Sequence, residues 1–134
     1  MTATLPTSAT TGHPAEAVLA ALLHRVTGVR GALVASVDGR PVASVLPSHD
    51  PGSTAAIVAA SLGLGARLAD LAGEGRLQEI VVRSASGYVV IYAVGERGVL
   101  TVLTNAAANL ALLHLEARQV CTDLATLVEP LDRT

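Results

Sequence analysis

The sequence of 134 residues has no tryptophan, no phenylalanine and no lysine, and only two tyrosines, one methionine and one cysteine. Each shortage closes off a class of function. Two aromatics, Tyr88 and Tyr92, are too few for the stacking platforms that single-stranded nucleic acid requires. The nine basic residues are all arginine, scattered singly in a chain of net charge −2, so no footprint for a phosphate backbone exists. No helical pattern carries a basic face that would hold it to a membrane surface. A lone Cys121 has no internal disulfide partner and sits in a helical pattern, where a buried thiol is expected. The longest apolar candidate, Val99 to Leu115, is broken by Thr101, Thr104, Asn105, Asn109 and His114, so membrane insertion is not expected. The opening "MTATLPTSATTG" has neither the basic start nor the apolar run of a secretory signal. It reads as a disordered tail over residues 1–13 of a cytoplasmic protein.

Residues able to do chemistry are equally sparse. His13, His24, His49 and His114 are dispersed, none with a second ligand type at metal spacing. No serine occupies a GxSxG elbow, and Ser84 and Ser86 flank a turn. The "GLG" at 63–65 follows a helical run and lacks the further glycine or Lys-Ser/Thr pair of a phosphate loop. Asp70 and Glu74, with Arg67 and Arg76 nearby, form a solvated charge cluster. No enzyme and no cofactor is expected.

What the sequence does contain is apolar surface, at 51% hydrophobic residues with a mean hydropathy of +0.53. "PAEAVLAALLHRV" places Leu19, Leu22, Leu23 and Val26 on one stripe of a first helix that starts at a proline. "VRGALVASVDGRPVASVL" is a hairpin turning at Asp38-Gly39 through two residues, with Pro41 confining the second strand to a sheet edge. A long helix follows, from about Ser53 to Ala72. Its expected core stripe is Ile57, Ser61, Leu64, Leu68 and Leu71, and its flank of small residues (Ala55, Ala56, Ala59, Ala60, Gly63 and Ala66) is expected to take a close partner. Three strands come next, at about Leu77 to Ser84, Tyr88 to Val94 and Val99 to Thr104. In the middle one Tyr88, Val90, Tyr92 and Val94 alternate with Val89, Ile91 and Ala93; both faces are apolar, so helices must cover both. The last helix, Asn109 to Val128, carries Leu110, Leu113, Ala117, Val120, Leu124 and Leu127 in one stripe, with Asn105 or Asn109 as its N-cap. The fold class is α+β: a five-stranded antiparallel sheet with helices on both faces, in the order α-β-β-α-β-β-β-α.

That order, carried by "VRGALVASVDGRPVAS", "AASLGLGARLADLAGEG" and "IVVRSASGYVVIYAVGERGVLTVLTNAAANLALLHLEARQV", resembles the Roadblock/dynein light chain domain family, particularly its bacterial and actinobacterial members. The domain is expected over 14–129, with a C-terminal tail at 130–134. The resemblance implies a homodimer whose sheet continues across the two-fold axis, no catalytic residues, and regulation of a small Ras-like GTPase, with a sensor-kinase complex as a further partner. A heterodimer with a related chain stays open. The expected dimer contacts are the third strand (Glu79, Ile80, Val81, Val82, Arg83) together with Ala59, Gly63 and Ala66. Centring the axis on Val81 sets Glu79 opposite the partner's Arg83. Arg67 and Asp70 are expected to meet the GTPase. The alternative is a ligand-binding sensor with a pocket between the last helix and the sheet; an enzyme built on Tyr88, Tyr92 and His114 is the third reading.

Overall fold

Ala15, Leu19, Leu22 and Val26 are all fully buried, so the first helix, α1 (Pro14–Arg25), lays one stripe on the sheet. His13 caps it, Nδ1 accepting the Ala15 N–H at 2.9 Å, and Pro14 stands where a helix has no use for an amide hydrogen. The computed structural model describes residues 12–132; the expected tail therefore lies, but for Gly12 and His13, outside the described residues.

β1 (Val29–Ser36) and β2 (Pro41–Val45) form the expected hairpin, but its turn differs from the two-residue Asp-Gly type. The Ser36 N–H donates to the Arg40 carbonyl at 2.8 Å, and the Ser36 carbonyl accepts the Gly39 N–H at 3.0 Å. Val37 and Asp38 are thus the central pair, and Gly39, at φ 93°, follows them in a three-residue loop. The cause is Ser36: it is buried, its hydroxyl donates to the Asp38 carboxylate, and its oxygen accepts the Arg40 N–H at 3.2 Å. That hydrogen bond, with Arg40 alongside, holds the Asp38 carboxyl below its usual range.

The sheet is antiparallel throughout, in the order β2-β1-β5-β4-β3, where β3 is Glu79–Ser84, β4 Gly87–Val94 and β5 Gly98–Asn105. β2 is one edge, as Pro41 requires, and β3 is the other. Along β4, Val90, Tyr92 and Val94 join the core beneath α1 and α3 (Leu110–Asp132), while Ile91 joins the core on the opposite face. The stripe of α3 is as expected, with Leu113, Ala117, Val120 and Leu124 fully buried. Asn109 caps this helix through the Leu112 N–H at 3.1 Å, whereas Asn105 serves the preceding turn. The helix continues past Val128 to Asp132.

The opposite face is covered by α2 (Pro51–Ala72), and here the expected core stripe is wrong. The side chains turned to the sheet are Ala55, Val58 and Gly65, with Leu62 beside them. Ile57, Leu64, Leu68 and Leu71 are 67%, 65%, 65% and 83% exposed. Gly65 explains the rotation, because a Cβ there would stand 2.5 Å from Ile80 Cδ1. The helix lies over β1, β2, β5 and β4, and the missing side chain at Gly65 makes room for Ile80 of β3. Gly63, by contrast, has nothing within 4 Å.

Candidate functional site

α2 is 22 residues long with a mean hydropathy of 1.5 over its most apolar 18 residues, enough by length and composition to cross a membrane. Its inward residues are nevertheless part of a folded core with Leu33, Ala35, Ile91 and Val99. Much of its remaining apolar character is the row of Ile57, Leu64, Leu68 and Leu71, each about two-thirds exposed or more. Large apolar side chains in one contiguous row on a soluble surface mark an interaction site.

A second feature lies at the β3 edge. Among the described residues β3 pairs only with β4, and Val81 and Val82 are 42% and 49% exposed. Ile80 packs on the same core as Leu62 and reaches Gly65, which ties the edge strand to α2. An unpaired strand without proline or lysine is a ready template for another strand. Among the described residues, neither Glu79 nor Arg83 takes part in an ion pair.

The small flank of α2 turns elsewhere. A Cβ on Gly39 would lie 3.9 Å from that of Ala59, and Ala66 lines a cleft of about 410 Å³ with Val37, Asp70, Arg76, Leu77 and Glu96. Arg67 and Asp70 are both exposed near the end of the helix, beside Leu64, Leu68 and Leu71. The structure therefore separates two groups that the sequence placed together. Of the edge residues, Ile80 reaches α2 at Gly65, while Ala59 and Ala66 look toward the chain's own turns.

Of the three residues on which the enzyme reading rested, two come together: the Tyr92 hydroxyl and His114 Nδ1 meet at 2.8 Å, with the rings edge to face. Burial, helped by the Glu79 and Cys121 charges, pushes the Tyr92 phenol well above its ordinary 10.0, so it is a poor proton donor or base. Burial also pushes the Cys121 thiol up to about 12, and a thiol held neutral is a poor nucleophile. Among the described residues no group of three or more His, Cys, Asp or Glu is arranged to hold a metal. Between α3 and the sheet, where a sensor pocket was the alternative, Leu113, Ala117, Val120 and Leu124 fill the space.

Compared with known proteins, a sequence model of the Roadblock/LC7 domain matches residues 16–104. MJ0310 and MJ1340, uncharacterised proteins of Methanocaldococcus jannaschii, are each 33% identical over 98 residues, which is 72% of this chain and 85% of theirs. Among solved structures, the gliding protein MglB of Thermus thermophilus superposes with a TM-score of 0.77 at 25% identity, covering 94% of this chain and 96% of that one. Myxococcus xanthus MglB gives 0.79 at 21% identity over 90% and 98% of the two chains. An MglB solved in a tetrameric arrangement gives 0.79 at 25% identity over 94% and 95%.

Proposed function

Because this chain belongs to the Roadblock/LC7 domain family, a generally non-catalytic regulatory domain, we propose that it is a homodimeric regulator of a small Ras-like GTPase. One observation carries the reading: the bare stripe of α2 and the open β3 edge lie on elements that meet at Gly65 and Ile80, so a single partner can cover both. A second copy placed across the edge continues the sheet and lays the two stripes of Ile57, Leu64, Leu68 and Leu71 against each other. Each such side chain contributes about 1.5–3 kcal/mol when fully buried. The stripe takes over the dimer role that the sequence gave to Ala59, Gly63 and Ala66. The MglB structure in a tetrameric arrangement is in keeping with self-association.

With the stripes joined, the outer crest of the paired helices remains in solvent. It carries Arg67 and Asp70 on a surface otherwise made of small residues such as Ala60 and Gly63. Exposed charges of this kind orient a partner and set its rate of approach more than they add affinity. We assign them to the GTPase, whose need for nucleotide places the complex in the cytoplasm. The sensor-kinase complex finds no support in these likenesses.

The test is affinity capture with the full chain as bait and mass spectrometry as the readout, in GTP and in GDP. Enrichment of a small Ras-like GTPase that changes with the nucleotide, and falls about tenfold with Arg67→Glu while the dimer mass holds, is expected for one lost oriented contact. Capture without any small GTPase overturns the reading.

A further inference from the structure

We infer that the dimer is selected by the β3 register centred on Val81, in which the Glu79 carboxylate of each copy meets the Arg83 guanidinium of the other, so that the chain pairs with itself in preference to a related chain. This rests on the homodimer proposed above and specifies what chooses the partner.

The register follows from the backbone. β3 and β4 are joined through Ala85 and Ser86, with Ser84 opposite Gly87. A two-residue turn closes on a hydrogen-bonded pair, and in an antiparallel ladder such pairs alternate with open ones. Ser84, Val82 and Ile80 therefore direct their N–H and C=O groups to β4, and Arg83, Val81 and Glu79 direct theirs to the open edge. A two-fold axis perpendicular to the sheet pairs residue i with residue S − i of the second copy. With the axis on Val81, all three outward residues find outward partners: Val81 with its own copy, and Glu79 with Arg83 twice. Moving the axis to Ile80 or Val82 leaves one of the three opposite Leu77 or Ala85, which lie outside the strand.

Side chains reach the same answer independently. On the face shared with Tyr92 and Tyr88, the Val81 register sets Glu79 against Arg83, and neither has an ion-pair partner among the described residues of its own chain. On the α2 face it sets Ile80 against Val82, an apolar pair that covers the half-exposed Val82. The Ile80 register would instead set Glu79 against Val81 and Val82 against Gln78, placing polar groups on apolar ones at both positions. Like charges opposite each other are destabilising, so a related chain without this Glu-Val-Arg arrangement is disfavoured.

The experiment uses three full-length proteins: wild type, Glu79→Arg and Arg83→Glu. Each single change places like charges opposite each other twice in its own dimer, and about tenfold weaker self-association is expected, read by sedimentation. Mixing the two variants restores opposite charges at both positions, so native mass spectrometry should find heterodimer well above the half that random exchange produces. The double variant Glu79→Arg/Arg83→Glu should pair with itself and reject the wild type. A wild-type dimer with random exchange between the single variants overturns the register and leaves the dimer standing. A monomeric wild type overturns both.

Discussion

Thr101 sits on β5 between Leu33 and Ile91, almost wholly buried under α2, and its hydroxyl has no hydrogen-bond partner among the described residues. Burying an unpaired hydroxyl costs about 1–3 kcal/mol, while valine has the same shape without that cost. Thr101→Val should raise the unfolding free energy by about 1 kcal/mol, measured by urea titration. The buried thiol gives the fold a second measurable trait. Cys121 is neutral in the native state up to about pH 12 but ionises from its ordinary 9.0 once the chain unfolds. Its contribution is therefore complete below pH 9 and is lost as pH rises toward 12. Tyr92, raised above 10.0 by burial, acts in the same direction. Denaturation midpoints should hold steady from pH 7 to 9 and fall above it, and Cys121→Ala should flatten the first part of that fall. At this scale the sequence was readable wherever a residue answers to its neighbours in the chain: Pro41 at an edge, Asn109 at a cap, the two faces of β4. The Ser36 hydroxyl that reshapes the Asp38-Gly39 turn was not, because its partners depend on Ser36 being buried.

Among the elements, α2 is where pattern and structure part. Its apolar residues recur at helical spacing and so do its small ones, and periodicity alone does not say which row faces home. The choice falls to one contact: Gly65 lies against Ile80, and a side chain at that position would stand in the space Ile80 fills. Gly65 shares a phase with Ala55, Val58 and Leu62, and that was the available clue. The displaced row should then behave as interface and not as core. Leu64→Gln with Leu68→Gln should leave the helical and strand signals of circular dichroism intact and change the unfolding free energy of the monomer by less than about 0.5 kcal/mol, as surface substitutions do. The same change should abolish the dimer in sedimentation. Loss of folded signal would return both leucines to the core.

For the whole molecule, order and class of elements were legible from one end of the domain to the other, because each helix and strand carries its own period and its own stops. Of the proposed partner surface, the edge of the third strand was named from the sequence, whereas the row of Ile57, Leu64, Leu68 and Leu71 was assigned to the core and is exposed. Light scattering at micromolar concentration should report twice the 13.5 kDa chain mass, with unfolding midpoints that rise with protein concentration. The two ends of the sheet also differ in a way that governs how far assembly proceeds. β2 begins at a residue with no hydrogen to donate, and β3 offers a full row of donors and acceptors. The molecule thus has a strand-pairing valence of one. In the proposed dimer two copies would use up their β3 edges on each other and expose only the edges that begin at Pro41, so the ten-stranded product would terminate its own growth, where a chain open at both edges would propagate into a fibre.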